Sequence, residues 1–294
     1  MKIINLFTDA IYHNLALMKL SAYHKSQGDV VTLSNQPTLP LVFCDYRYAS
    51  VLFEKNQGKF DADQFGGPAF EGSMLKSDVE NMKPDYSLYS NIDYSLGYTF
   101  RPCFRKCGFC KVPEMAHPDT NHHSIWEFHD ERFRKICLLN NNTFFDKQWK
   151  ETFEEIWDAK LIVRDENGYD LRLLDDEKAD ALHRTKFDGY IHFAWDSVAD
   201  ETEIRRGIEI AKQHKLLSRG IVYVLIGYDS IVEEDFHRCQ VLVDYKLRPY
   251  VMPFNQSKGE KKFKRFIDSF MWRKYKTLKD AWKDYNPSEF RKEK

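Results

Sequence analysis

Asp93-Tyr94-Ser95-Leu96-Gly97-Tyr98-Thr99-Phe100-Arg101-Pro102-Cys103-Phe104-Arg105-Lys106-Cys107-Gly108-Phe109-Cys110 is the stretch that decides the fold. Tyr94–Tyr98 is an apolar run of strand length. It leads directly into three cysteines within eight residues, spaced C-x3-C-x2-C. In chains that alternate strands and helices, binding groups collect at the carboxyl ends of parallel strands. A thiol-rich loop in that place marks a site as well as a strand end. Six cysteines in 294 residues make no disulfide framework, and crowding of this kind points to metal or redox chemistry.

Downstream, strands and helices alternate. Lys135–Leu139, Asp170–Leu173, Tyr190–Ala194, Val222–Ile226 and Pro249–Pro253 read as strands. Between them, Lys147–Ala159, Asp176–His183, Thr202–His214 and Val232–Tyr245 read as helices. Asp175 is a candidate N-cap, and Ser230 with Glu233 has the spacing of a capping box. Six strands of this type suit either a partial barrel or a doubly wound sheet, which periodicity does not separate.

Upstream, Ile3–Phe7 reads as a buried strand. Ile11, Leu15, Met18 and Ala22 mark one face of a helix that stops at Gly28, and Val30–Leu33 and Leu41–Cys44 read as two further strands. A helix between the first two strands implies a parallel crossover. Gly66-Gly67-Pro68 is a turn signal, and Met82-Lys83-Pro84-Asp85 reads as a linker. The expected organisation is a small α/β domain over 1–90, an α/β body over 91–257 and a basic helical tail over 258–294.

Composition excludes little else. The chain is 43% hydrophobic and 30% charged, as an ordinary globular protein is, and a formal net charge of −1 gives it no global field for nucleic acid. No segment reaches the apolar length of a membrane span. Asn5 and Asp9 interrupt the N-terminus too early for a signal-peptide core, so a cytoplasmic chain without membrane contact is expected.

Three thiolates on one loop can hold three irons of a cubane. Such clusters are normally closed by four cysteines, so the missing one leaves an iron for an external ligand. A zinc site on the same cysteines with His117, His122 or His123 is the alternative, since zinc takes four N/S ligands. Cys44, Cys137 and Cys239 sit among apolar neighbours and read as core.

With this spacing and with Phe109 before the last cysteine, the run resembles the signature of the radical S-adenosylmethionine (SAM) superfamily. The likeness covers nearly the whole chain, specific at the triplet and looser elsewhere. Leu138-Leu139-Asn140-Asn141-Asn142, Asp170-Leu171-Arg172-Leu173-Leu174, Phe193-Ala194-Trp195-Asp196, Tyr223-Val224-Leu225-Ile226-Gly227-Tyr228 and Tyr250-Val251-Met252-Pro253-Phe254-Asn255 resemble later strand ends of a bacterial and phage group. Members of that group carry a small cobalamin-domain-like N-terminal region. The resemblance implies a partial (β/α)6 TIM-like barrel, preceded by a small Rossmann-like α/β domain and followed by a short helical tail.

It also implies a [4Fe–4S] cluster on Cys103, Cys107 and Cys110 that reductively cleaves SAM to a 5′-deoxyadenosyl radical, acting on an unidentified substrate. The electron would come from a reductant such as flavodoxin or ferredoxin. By the same resemblance Asn140, Asn141 and Asn142 stand where relatives carry a glycine-rich acidic motif for the SAM amine. Arg172 would meet the SAM carboxylate, unless it is salt-bridged to Asp170 or Asp196. Asp196 would accept from the ribose hydroxyls, Phe109 would lean on the adenine or the cluster, and Gly227 and Asn255 end strands where adenine contacts gather. Pro102 departs from the glycine that relatives commonly carry before the first cysteine.

The cobalamin signature wants Asp-x-His-x-x-Gly, and the nearest stretch is Asp45-Tyr46-Arg47-Tyr48-Ala49-Ser50. Arginine has no lone pair for cobalt. Cobalamin is therefore not expected, and the domain reads as a degenerate cap shaping the substrate entrance. A cobalamin-dependent radical SAM methylase is one alternative, and a zinc-stabilised nucleic-acid-binding module, not an enzyme, is the other.

In the tail, Phe263, Phe266, Ile267, Phe270 and Met271 form an apolar stripe, crowded by Lys261, Lys262, Lys264, Arg265, Arg273 and Lys274. A nucleic-acid backbone is one partner for these cations. A solvated face on a docked helix is the other reading, and the one preferred. Thr277 is placed to cap a second short helix that ends before Pro287.

Overall fold

The computed structural model describes residues 1–34, 43–70, 72–115 and 119–288. The protein is mixed α/β with parallel sheets. It divides into two compact units, Met1–Asn141 with Glu154–Leu161, and Asn142–Phe153 with Ile162–Lys294.

The first unit begins with β1 (Ile3–Thr8), α1 (Leu15–Ser26), β2 (Val30–Ser34), β3 (Tyr46–Ser50) and β4 (Gln64–Gly66), a parallel sheet in the order β2-β1-β3-β4. β1 is buried on both faces, which is why it reads as a nearly continuous apolar run. Ile4 and Leu6 pack with Leu17, Leu20 and Val79, whereas Phe7 packs with Ala49, Val51 and Phe60. α1 starts later than the apolar spacing suggested. The Asn14 side chain caps it by accepting from the Leu17 N–H at 3.1 Å, and this leaves Ile11 outside the helix and 86% exposed. Gly28 follows its C-terminus at φ +80°, as expected.

The third strand is also displaced. Leu41 and Val42 lie outside the described residues, and Phe43 and Cys44 belong to no strand. Pairing begins at Asp45, whose carboxylate accepts from Ile3 N–H at 2.7 Å while its own N–H donates to Ile3 C=O at 2.8 Å. The stretch compared with the cobalamin loop is therefore β-strand, and Arg47 is ion-paired to Asp61 and Asp63. After a one-turn helix, α2 (Ser77–Glu80), come β5 (Ser95–Gly97) and β6 (Lys135–Leu138), which pair in parallel.

α3 (Trp149–Asp158) carries residues of both units. The second unit continues with β7 (Ile162–Arg164), β8 (Tyr169–Asp170), α4 (Asp176–Arg184), β9 (Ile191–Ala194), α5 (Glu201–Gln213), β10 (Gly220–Ile226), α6 (Val232–Asp244) and β11 (Arg248–Pro253). β11-β10-β9-β8 form a parallel sheet. The expected strand Asp170–Leu173 is mostly a 3-10 turn. Asp170 accepts from the Arg172 N–H at 3.1 Å and folds the chain back on itself. β7 follows a helix so closely that its three residues gave no separate signal. Asp175 caps α4 as expected, accepting from Lys178 N–H at 2.9 Å. The capping box at α6 sits one residue later than its spacing suggested. Glu234 accepts from Ile231 N–H, whereas Ser230 donates to Asp235.

One face of the β9–β11 sheet is fully packed, with Ile191, Phe193, Val222, Val224 and Val251 buried. The alternating residues His192, Tyr223, Leu225, Tyr250 and Met252 are half-buried or exposed. His192 stacks on Tyr223 at 5.0 Å, and Tyr223 meets Tyr250 edge-on at 5.5 Å. The tail supplies α7 (Lys258–Ser269) and α8 (Leu278–Lys283). Phe263, Phe266 and Ile267 are buried, but Phe270 has a left-handed φ of +55° and leaves the helix. Several tail cations are engaged in the fold: Lys262 lies over Trp282, Lys264 over Tyr250 and Arg273 over Phe270. Thr277 caps α8, accepting from Asp280 N–H at 3.1 Å. Residues 289–294 lie outside the described residues. Among those described, no helix is long and apolar enough to cross a membrane.

Candidate active site

The cysteine loop leaves the carboxyl end of β5. Its approach is pinned by the residues after β6. Asn140, 2% exposed, accepts from the Thr99 and Phe100 N–H groups at 2.9 and 3.1 Å and donates to Thr99 Oγ1 at 2.9 Å. Asn141 Nδ2 donates to Arg101 C=O at 2.5 Å. These two side-chain amides splice one strand end to the next, a use that sequence reasoning missed because nothing local announces it. Cys107–Cys110 is a tight turn closed by the Cys110 N–H donating to Cys107 C=O at 3.0 Å. Cys110 Sγ accepts from Val112 N–H at 3.4 Å. All three thiols are half-buried, as is Phe109. Among the described residues no group of three or more His, Cys, Asp or Glu side chains stands together as for a metal ion.

Of the histidines considered for zinc, His117 lies outside the described residues. His123 bridges Asp119 and Glu127 at 3.1 and 2.9 Å. Burial alone would lower its pKa, but these two carboxylates raise it.

In the second unit, the strand ends gather Asn142, Asp170, Arg172, Asp196 and Asp200. Asp170 holds Arg172 with both oxygens, at 2.8 and 3.1 Å, and Asp200 takes the third guanidinium nitrogen at 2.6 Å. Arg172 is thus salt-bridged to Asp170, one of the partners considered, and to Asp200 in place of Asp196. Asn142, 7% exposed, donates to Asp170 at 3.3 Å, and its buried Oδ1 has no hydrogen-bond partner. Asp196 ends β9 without such a clamp. Burial pushes its pKa up to about 6; Arg172 and Arg238 pull against the shift, and Asp170 and Asp200 add to it. A carboxyl so displaced at a strand end is a functional candidate.

Arg238 was not foreseen. It is fully buried and donates to Trp195 C=O at 3.0 Å and Leu225 C=O at 2.7 Å, tying the ends of β9 and β10, with Asp235 as its counter-ion at 2.6 Å. Its i,i+3 spacing from Asp235 was the available signal. Asp165 was likewise missed. It accepts from His192 N–H at 2.7 Å, and burial raises it to about 7.

Gly227 and Asn255 do come together. Asn255 Nδ2 donates to Gly227 C=O, and its N–H donates to Glu260 at 3.0 Å. Gly227 sits at φ +76°, and a Cβ there would stand 2.6 Å from the Glu260 carboxylate. Tyr228 and Phe254 meet edge-on beside them at 4.9 Å, each more than 40% exposed.

The first unit also holds a cavity of about 730 Å³. Its walls are the N-terminus of α1, Ser50 at the carboxyl end of β3, the loop from Gly67 to Ala69, and Tyr98 and Arg101 on the approach to the cysteines. The crossover through α1 carries the chain from β1 to β2, whereas β3 lies on the opposite side of β1. A ligand crevice is expected at such a switch point. Gly67 permits the wall. At φ +95°, a Cβ would lie 2.6 Å from Val51 C=O, where Ala69 N–H now donates at 3.1 Å. The chain matches no family model and no curated protein sequence, so the functional reading rests on these residues.

Proposed function

We propose that this chain is a radical SAM enzyme whose Cys103, Cys107 and Cys110 hold a [4Fe–4S] cluster in a partial (β/α)6 barrel. The observation that carries the reading is the C-x3-C-x2-C run with Phe109, on the loop that leaves a parallel strand at its carboxyl end. The donor set fits the group in kind: three partly accessible thiols lie on one loop, where the Cys110 N–H donates to Cys107 C=O. When bound, the cluster and SAM supply a 5′-deoxyadenosyl radical for hydrogen abstraction from a substrate.

The protein's part is to bind and orient. Asn142 offers a buried carbonyl oxygen without a partner, and an ammonium group is a donor suited to it. This moves the expected SAM-amine contact from the whole asparagine run to its last member, since Asn140 and Asn141 are engaged elsewhere. Asp170, Asp196 and Asp200 outnumber the Arg172 charge they surround, and that surplus favours the cationic end of SAM. Asp196 also remains the acceptor for ribose hydroxyls. Arg172 acts by holding Asp170 and Asp200 in place. Phe109 stands beside the last cysteine to cover the adenine or the cluster. A small electron carrier such as flavodoxin or ferredoxin would supply the electron.

The test is anaerobic reconstitution with iron and sulfide, followed by SAM and dithionite and measurement of 5′-deoxyadenosine. The wild type should hold about four irons and release the nucleoside, and Cys107→Ala should release none. Equal yields from both, or one zinc with no iron, would overturn the proposal.

A further inference from the structure

We infer that the cavity of the first unit binds a small organic anion, a carboxylate or phosphate monoester joined to an apolar body. Two poorly exposed cations in its wall share one carboxylate. Lys19 and Arg101 both line the cavity, and both donate to the same oxygen of Glu80, Oε1. Lys19 also reaches Glu80 C=O at 2.5 Å. Among the described residues, one carboxylate is bonded to both cations, while Asp119, paired with His123, acts on Arg101 from farther off. The Lys19, Arg101 and Glu80 side chains are 13%, 23% and 14% exposed respectively, so solvent screens the surplus charge poorly. Burial lowers the Lys19 pKa and Arg101 adds to the shift, whereas Glu80 and Glu127 oppose it. A second negative group is what this arrangement lacks.

Two further features agree. α1 ends at the cavity, and Leu15 and Ala16 of its first turn line it, placing the positive end of the helix there. The rim carries the opposite arrangement, two carboxylates to one lysine. Lys111 sits between Glu54 and Glu114, each at 3.3 Å and all more than half exposed, so this rim cluster is screened by water. Glu127, which acts on Lys19 from farther off, is bonded to His123. His13 is taken up by Tyr94 at 2.8 Å and Asn91 at 3.4 Å. The remaining wall is largely apolar, with Leu52, Pro68, Met74, Met115 and Leu139. A volume of about 730 Å³ matches a ligand of metabolite size. The charge pair selects an anionic head, and the wall accepts a hydrocarbon or aromatic body. Arg101, whose guanidinium lies over the Tyr98 ring at 4.4 Å, is positioned to grip two oxygens.

Tyr98 and Arg101 of this wall lead into the cysteine loop, and the experiment keeps the two readings separable. The intact chain is titrated calorimetrically with phenyl phosphate, phenylacetate and the neutral 2-phenylethanol. At least one anion should bind about tenfold or more tighter than the alcohol, which corresponds to one buried charge contact. Comparing phosphate with carboxylate identifies the head group. Lys19→Met should weaken the anion about tenfold. Met115→Trp should block every probe by filling the cavity, without touching the charges. Cys107→Ala should bind as the wild type does, even though it makes no 5′-deoxyadenosine. Equal binding of anion and alcohol, no binding of either anion at millimolar concentration, or unchanged affinity in Lys19→Met would overturn the inference. Should Lys19→Met fail to fold, the wild-type comparison and Met115→Trp decide it.

Discussion

Two ionic clusters in this protein are near mirror images. In the first unit, Lys19 and Arg101 share Glu80. In the second, Arg172 is shared by Asp170 and Asp200, with Asp196 close enough to feel all three. One cluster is short of negative charge and the other short of positive. The difference teaches that a site can be recognised by what its charges leave unanswered. An anion completes the first cluster. A cation, such as the ammonium of SAM under the proposed function, completes the second.

Three changes break or sharpen this contrast. The largest effect is expected from Glu80→Gln, which strips two largely buried cations of the carboxylate they share. It should cost about 4 kcal/mol, the range for orphaning a buried ion pair, read from urea unfolding of the whole chain. Added phenyl phosphate should recover part of that loss by occupying the vacated place. A loss below about 1 kcal/mol, typical of exposed pairs, would show that the cluster is well solvated. Asp170→Asn should cost about 2 to 3 kcal/mol, less than the first change because Asp200 still holds Arg172. If Asp170→Asn proves the more damaging, the two clusters do not differ as described.

The smallest effect is a pH dependence. The Asp196 pKa stands near 6 in the folded protein and near 3.8 unfolded, so the folded state keeps its proton longer as pH rises. The contribution of this carboxyl to stability must then fall between about pH 4 and 6 and stay level above. Asp196→Asn should remove that decline and leave the protein up to roughly 2 kcal/mol more stable at pH 8 than the wild type. Asp165, raised to about 7, has the same sign and stays in place, so a shallower decline toward pH 7 persists in the variant. Denaturation midpoints from pH 4.5 to 8 test this. A variant with the wild-type slope would mean that burial does not hold the Asp196 carboxyl above its ordinary range.

The sheets were legible for a simple reason. A strand buried on both faces, such as β1, has to be apolar throughout, and helices that cover one face of a sheet have to carry a stripe such as Ile204, Ile208 and Ala211. The strands that escaped are those stabilised by partners distant in sequence. β3 starts where Asp45 reaches Ile3, and β4 consists of three residues beside it. Asp170–Leu173 had the composition of a strand and became a turn because one carboxylate captured a nearby backbone N–H. At the candidate site, the cysteine triplet announced itself through spacing alone. Asn140 and Asn141 were legible as polar turn residues, but their duty as splices was not.

What the sequence determined by itself was periodicity and covalent spacing: alternating apolar strands and amphipathic helices, and three thiols held within eight residues. Both are local, since a strand face or a chelating loop needs only neighbours along the chain. What the tertiary structure decided was the balance of charge. Glu80 answers two cations and Arg172 answers two carboxylates because residues 21 to 61 positions apart, in the first case, and 2 to 28 apart, in the second, are folded together. Electrostatic energy depends on distance and burial, and neither is written in the order of the residues.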